Sequence, residues 1–355
     1  MTETRNIRIQ KVAQSRLPQV DFSDIPFGRI FTDHIFLADF NGHEWVDYRI
    51  VPMDDLRLHP AASVLHYGQT IFEGMKVFKN QKGEVNVFRP EKNFERFNKS
   101  AARMCMPQVD NALLREALTE YVRLEKDWIP TDPGSALYLR PFMFATDKYI
   151  GVRPSETYCL AIFACPVNAY YTGELKVKIE LEYTRAFPGG TGTAKAGGNY
   201  AGALFPARRG QEQGYHQLVW TDGLEHKYIE ESGTMNIFFR IGKRILTPAL
   251  SDTILDGVTR DSLVELAKAW GYQLEEKKVA VSEIAEALEA GTLAEMFGAG
   301  TAATVAPVSV VHHAGKDYRL SDPAGWEFAP KAAAYLDNLK RGNEPDIFGW
   351  NYSIV

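Results

Sequence analysis

The chain has 355 residues, 45% of them hydrophobic and 24% charged, with a formal net charge of −5 and a pI near 6.0. That composition describes an ordinary globular protein of about two domains, and its acidic balance argues against a nucleic-acid or anionic-membrane surface. Cys105, Cys159 and Cys165 form no C-x-x-C pair and no zinc spacing, so buried thiols in a reducing, cytoplasmic setting are expected.

The first residues, MTETRNIRIQKVAQSRLPQ, lack the apolar segment of a secretory signal. No apolar run approaches the roughly 18 residues of a membrane helix. RIFTDHIFLADF (29–40) reads as a strand, and VFKNQKGEVNVF (77–88) as a hairpin turning at Lys82–Gly83. Phe94, Phe97, Ala101 and Met104 recur at helical spacing, and NALLREALTEYVRLEKDW (111–128) reads as a longer amphipathic helix. ALYLRPFMF and TYCLAIFACPV are β-rich, so the first half reads as an α+β domain around an antiparallel sheet.

A break is expected near NAYYTGEL (168–175). Val177, Ile179, Leu181 and Tyr183 then alternate as on a half-buried strand. Short strands follow in QLVWTD, KYIEESG, NIFFR and RILTP, then a helix at 259–270 that Gly271 is placed to cap. TLAEMF and TVAPVSVVH add strands, WEFAPKAAAYLDNLKR is a terminal helix, and His312–His313 reads as a solvated pair in a polar loop. The expected division is a small α/β domain at 1–168, a linker at 169–182 and a large domain at 183–355.

GGTGTAKAGGNY (189–200) frames one lysine, Lys195, with five glycines. A P-loop needs its lysine directly after glycine and before a hydroxyl, but Ala194 and Ala196 flank this one. In the dinucleotide pattern, Lys195 occupies the place of the third glycine. H-E-x-x-H and G-x-S-x-G are also missing, so no metal site is expected and serine-hydrolase chemistry has no support. An exposed lysine without a role competes with a lysine that forms a Schiff base with a carbonyl.

If that carbonyl is pyridoxal phosphate, the chemistry calls for a carboxylate at the pyridine nitrogen, an anion cup and a donor for the phenolic oxygen. YIEESGTMN offers Glu230 and Glu231, of which alternation lets only one enter a site, leaving the other a solvated surface charge. The turn before the 259–270 helix offers backbone N–H groups near Val258 and Thr259. FGAGTAAT (297–304) adds a small-residue turn with the Thr301 hydroxyl, and Tyr200 follows Lys195 by five positions.

AKAGGNYAG, EESGTMN, ILDGVTRDSL, FGAGTAA, LHYGQTIFEGMKVF and LYLRPF together resemble the motif set of the branched-chain amino acid aminotransferases. These are fold-type IV pyridoxal-phosphate enzymes, two-domain α/β (α+β) transferases with mixed β-sheets flanked by helices. The resemblance runs from about residue 26 to the C-terminal helix; K-x-G-G-N-Y and E-x-G-T-M-N are its specific elements, and the single glycine turns are weak ones.

The resemblance implies that Lys195 is the Schiff-base lysine and catalytic proton carrier. It implies Glu231 at the pyridine nitrogen, Tyr200 at the phenolic oxygen and Leu255 on the ring face. Arg96, chosen over Arg103 by the match to N-F-E-R-F, would hold phosphate with the Val258 and Thr259 amides and Thr301. Phe27, Tyr67, Tyr138, Arg140 and Tyr170 would form the substrate pocket, with the Thr301 and Ala302 amides near the carboxylate. Arg140, by way of Tyr67, would take the second carboxylate of 2-oxoglutarate or glutamate. The family is dimeric, and Ile150 and Val152 would cover a partner's pocket. Ala303 and Ala306 stand where some animal members carry C-x-x-C, so no thiol switch is expected.

The implied reaction is reversible transamination of L-leucine, L-isoleucine and L-valine with 2-oxoglutarate. A D-amino acid transaminase and an aminodeoxychorismate lyase are the rivals of the same fold. A nucleotide- or phosphate-binding protein without covalent chemistry is the rival from another class.

Overall fold

A computed structural model of the chain describes residues 6–168 and 173–354. It divides into two compact units, one of Met1–Tyr170, Ala194–Gly198 and Asp337–Val355, the other of Tyr171–Thr193 and Asn199–Leu336. The sequence reading assigns all of 183–355 to one domain; here the lysine segment and the C-terminal residues belong with the first unit.

The first unit is built on strands β1 (Arg8–Ile9), β2 (His34–Phe40), β3 (Trp45–Pro52), β4 (Thr70–Phe72), β5 (Met75–Lys79), β6 (Val85–Phe88), β7 (Ala136–Ala145) and β8 (Tyr158–Val167). They form a sheet in the order β1-β3-β2-β8-β7-β5-β6, with β4 also on β7 and a C-terminal strand, Asn351–Ile354, on the outer edge of β6. All pairings but β1–β3 are antiparallel. The 77–88 hairpin forms as the sequence indicates, its turn closed by Gly83 N–H donating to Asn80 O at 3.0 Å. The expected strand at 29–40 starts only at His34.

Helices α1 (Ser63–Tyr67), α2 (Pro90–Arg103) and α3 (Asn111–Leu124) belong to this unit. α2 turns Phe94, Phe97 and Ala101 inward and α3 turns Leu114, Leu118 and Tyr121, all into one core with Phe36, Val77 and Leu139. That is the apolar stripe the helical spacing announces. α3 stops at Leu124 and a 3-10 turn at Lys126–Trp128 completes the expected segment.

The second unit holds two sheets. With β9 (Lys176–Ile179), β10 (Gln217–Thr221), β11 (Tyr228–Ser232), β12 (Asn236–Ile241), β13 (Arg244–Pro248), β14 (Gln273–Lys277), β15 (Val279–Ala280), β16 (Leu293–Gly300), β17 (Thr304–Pro307), β18 (Val310–His313) and β19 (Lys316–Arg319), the orders are β15-β11-β10-β9-β18-β19 and β14-β13-β12-β16-β17. Val177, Val219 and Ile229 of one sheet share a core with Ile237, Phe239 and Met296 of the other. The remaining helices are α4 (Gly197–Glu212), α5 (Val258–Ala269), α6 (Val281–Glu289) and α7 (Ala329–Lys340). Gly271 at φ +75 ends the α5 segment, with its N–H on Lys268 O at 3.1 Å and that of Tyr272 on Ala267 O at 2.9 Å.

Several local expectations are corrected. β9 ends at Ile179, because the Glu180 carboxylate accepts the Glu182 and Tyr183 amides at 2.8 and 3.1 Å and turns the chain. Leu181 is therefore exposed. His312 and His313 lie on β18, with His312 beside the Tyr215 hydroxyl at 2.7 Å. Cys105 is exposed while Cys159 and Cys165 are buried. α7 is followed by the strand at Asn351–Ile354.

The end of α7 brings buried charge into the first unit. Lys340 and Arg341 are buried, and so is Lys76 on β5. The Lys340 amine lies 4.7 Å from the Phe88 ring centroid. Burial pushes that amine down to about 7, helped by the charge of Lys76; burial likewise takes Lys76 to about 8.

Candidate active site

The lysine segment is an extra edge to β4. Ala196 bridges Ile71, Phe72 N–H donates to Lys195 O at 3.0 Å, and Lys195 N–H donates to Ser100 Oγ at 3.0 Å. Ala194 and Ala196 are small enough to be buried in the first unit's core. A Cβ on Gly197 would stand 2.8 Å from Thr70 Cγ2, so the residue types around Lys195 answer to close packing. The lysine Nζ lies 4.9 Å from the centroid of the Phe72 ring. The Arg140 guanidinium lies 4.7 Å from the same ring, and both contacts are at cation–π range.

Arg140 also donates to the Tyr138 hydroxyl at 3.2 Å, and the Phe27 ring meets Tyr138 edge-on at 5.5 Å. Thus Phe27, Tyr138, Arg140 and Lys195 gather in the first unit with Phe72, a residue that the sequence reading does not name. Tyr67 ends α1 and is 40% exposed. Tyr170 lies outside the described residues. Ile150 and Val152 are 62% and 92% exposed on a loop whose Arg153 pairs with Asp147 and Glu156.

Arg96 is buried and grips Glu73 in a fork, Nε to Oε1 at 2.7 Å and Nη2 to Oε2 at 2.8 Å. Asn93 Nδ2 adds a bond to Oε2 at 2.7 Å. Burial alone pushes the Glu73 carboxyl up, but Arg96, the Lys195 charge and Asn93 outweigh it and hold the carboxyl below its ordinary range. Glu73 in F-E-G was missed from sequence; its signal was an acid beside apolar strand residues with an arginine on a nearby helix.

In the second unit, a cavity of about 160 Å³ is lined by Arg185, Asn199, Tyr200, Trp220, Glu231, Asn236 and Leu255 among others. It brings together three expected residues, Tyr200, Glu231 and Leu255. Glu231 is 3% exposed. Its Oε1 accepts the Leu255 N–H at 2.7 Å and Asn236 Nδ2 at 3.2 Å. Its Oε2 lies 3.0 Å from Arg185 Nε. A buried carboxylate is thus met by one cation and two donors. Arg185, in Y-T-R-A-F, joins Phe72 and Glu73 as a residue that sequence reasoning missed.

Glu230 departs from the expectation of a solvated charge. It is 7% exposed, because both faces of β11 are covered in this two-sheet unit. Val258 and Thr259 open α5 after Gly257, and the first intrahelical bond belongs to Asp261. Their amides therefore have no acceptor within the helix. Thr301 and Ala302 form the turn between β16 and β17.

The family model described as amino-transferase class IV matches residues 70–311. The branched-chain-amino-acid aminotransferase 2 of Bacillus subtilis (strain 168) is 42% identical over 355 residues, covering 99% of this chain and 98% of that protein. The branched-chain-amino-acid aminotransferase of Mycobacterium tuberculosis (strain CDC 1551 / Oshkosh) is 40% identical over 333 residues, 91% of this chain and 90% of that protein. Among solved structures, the branched-chain amino acid aminotransferase from Escherichia coli superposes with a TM-score of 0.70 at 26% identity, over 90% of this chain and 98% of that one. That of Thermobaculum terrenum in its PLP-bound holo form does so at 0.73 and 18% identity, over 91% of this chain and 98% of that one, a likeness of fold.

Proposed function

Because the chain belongs to the class IV aminotransferases, we propose that it transfers the amino group of L-leucine, L-isoleucine and L-valine to 2-oxoglutarate. The products are branched-chain 2-oxo acids and L-glutamate, and the reaction is reversible. The observation that carries this reading is near-full-length identity of 42% to a branched-chain aminotransferase. A D-amino acid transaminase or aminodeoxychorismate lyase is not favoured, since the curated relatives at 40–44% identity are branched-chain enzymes.

The cofactor that fits is pyridoxal 5′-phosphate. When bound, it supplies an aldehyde that takes the amino group and a protonated pyridine ring that accepts the Cα electron pair. The donor set supports the fit: a buried carboxylate paired with Arg185, a phenol and an aliphatic face line one cavity, Glu231, Tyr200 and Leu255. Lys195 would hold the aldehyde covalently, and Glu231 would keep the ring nitrogen protonated. Tyr200 would donate to the phenolic oxygen. The Val258 and Thr259 amides, Arg96 and Thr301 would hold the phosphate.

Lys195 Nζ, once released by the incoming amine, would take the proton from the substrate Cα and return it on the cofactor side. Phe27, Tyr67, Tyr138 and Tyr170 would wall the side-chain pocket, and Arg140 would take the distal carboxylate of glutamate. The Thr301 and Ala302 amides would face the α-carboxylate. One methylene is worth only about 1–3 kcal/mol in such a pocket, so all three branched substrates should be accepted. We read the enzyme as a cytoplasmic homodimer in which Ile150 and Val152 cover the partner's pocket, a reading that their exposure supports.

An absorption spectrum tests the reading. With pyridoxal phosphate the protein should show a visible band that L-leucine alone converts to a near-ultraviolet one. A band that responds to D-alanine and not to L-leucine would refute the substrate assignment. A colourless protein would refute the cofactor.

A further inference from the structure

Glu230 has two oxygens in unlike surroundings. Oε1 accepts a hydrogen bond from the Thr253 hydroxyl at 2.5 Å. Oε2 is closed off from solvent and has no hydrogen-bonding partner. An ionised carboxylate would leave charge on an oxygen that nothing solvates, a situation relieved by taking up a proton. Burial indeed pushes the Glu230 carboxyl up, against the pull of Thr253 and Arg185, with Glu231 and Asp222 adding to the rise.

Arg185 connects this buried acid to the cavity. Its Nε lies 3.0 Å from Glu231 Oε2, an ion pair that makes no hydrogen bond, and its Nη2 donates to the Thr253 carbonyl and to that of Gly192 at 3.4 Å. Thr253 therefore gives its hydroxyl to Glu230 and its carbonyl to Arg185. Its position is further fixed by the Ser251 hydroxyl, 2.9 Å from Oγ1. The guanidinium thus pairs with Glu231 and is felt by Glu230 through its charge. If both were ionised they would divide its charge; if Glu230 is neutral, Glu231 keeps all of it.

We propose that Glu230 is a positioning residue: as a neutral acid it anchors Thr253, Thr253 anchors Arg185, and Arg185 remains the undivided counter-ion of Glu231. The inference rests on the reading of Glu231 as partner of the cofactor's ring nitrogen. Glu230 touches no reacting atom and acts only through Arg185. Other charges lie around it. Asp222 is saturated by the amides of Leu224, Glu225, Lys227 and Tyr228. Asp252, Glu225, Lys277 and Lys278 line the cavity on which Glu230 borders.

The test uses the holoenzyme and the variants Glu230→Ala, Glu230→Gln and Thr253→Val. Infrared difference spectra at neutral pH should show the carbonyl band of a neutral carboxylic acid that Glu230→Gln removes, with the carboxylate bands unchanged. Glu230→Ala and Thr253→Val should lower kcat about tenfold with KM for L-leucine held, as expected for outer-shell support. Both should also move the pH midpoint of the visible cofactor band. Glu230→Gln, which keeps an acceptor for Thr253 and no charge, should restore the midpoint and most of the rate.

A purely structural role would lower stability without moving the midpoint, and that result overturns the proposal. So does loss of carboxylate intensity in Glu230→Gln, or a Thr253→Val enzyme with the parent midpoint and rate. A failure of the underlying reading is visible separately, as a Glu231→Gln enzyme with unaltered spectrum and rate; the relay would then have no target and fall with it.

Discussion

Lys195 is flanked by two alanines that go into a core and a glycine that leaves room for Thr70. The glycine-rich frame is thus a packing solution that delivers one amine to a fixed place beside Phe72. Lys195→Ala should abolish both the visible cofactor band and transamination, with the thermal unfolding midpoint within a few degrees of the parent; appreciable turnover would refute the role. Glu231→Gln should leave the fold intact and cut kcat by about 10²-fold or more, the scale of a lost electrostatic group, measured in steady state with L-leucine. Arg96→Ala should leave the buried Glu73 charge without its paired guanidinium, with only Asn93 and the more distant Lys195 charge, and cost about 3–5 kcal/mol in denaturant unfolding. The sign of its pH dependence follows from a folded carboxyl held below its ordinary range. That stabilisation is present above the unfolded value and disappears as pH falls through the folded one. The parent should therefore lose stability on acidification more steeply than Arg96→Ala.

At the level of elements, what sequence patterns made legible was what one element decides alone. α2, α3 and α5 are readable because their apolar spacing reflects a single buried face. The 77–88 hairpin was readable because its turn chemistry is local. Misreadings occurred where another element intervened. Alternation puts one of Glu230 and Glu231 at the surface and the resemblance makes that one Glu230, but β11 is covered on both faces, and alternation carries no information there. The 176–183 alternation is real in sequence, yet Glu180 breaks it by capping its own backbone. The residues themselves single out Lys195 and leave Glu230 and Glu231 open as carboxylates, and the family resemblance chooses Glu231, whereas Arg185 and Phe72 are visible only in the fold. Gly271 tests the local side of this contrast: at φ +75, Gly271→Ala should cost about 1–2 kcal/mol of stability. Lys340 tests the non-local side. Its folded pKa of about 7 lies below the unfolded value of 10.5. Folding therefore opposes protonation: the cost is full below the folded value and vanishes as pH rises past the unfolded one. Between those limits the parent should gain stability with rising pH, and Lys340→Met should flatten that rise and stabilise the protein near neutrality by ~2 kcal/mol or more.

Over the whole molecule, the proposed homodimer is tested at the exposed loop of Ile150 and Val152. Val152→Asp should lower kcat/KM or weaken the dimer by sedimentation velocity without altering the circular dichroism spectrum; an unchanged monomer-free, fully active variant would remove the loop from that role. The interleaving of the two units reaches further than function. The first unit's sheet is closed at its β6 edge by Asn351–Ile354, paired Asn351 to Phe88 and Ile354 to Val85. During synthesis, β6 must therefore wait with an open edge while more than two hundred residues emerge, the whole second unit among them. The ribosome makes the first unit's opening strands early and its closing strand late. Chaperone occupancy on nascent chains should accordingly persist until that strand clears the exit tunnel, and a stop codon before residue 351 should leave a product that pairs through β6 with other chains.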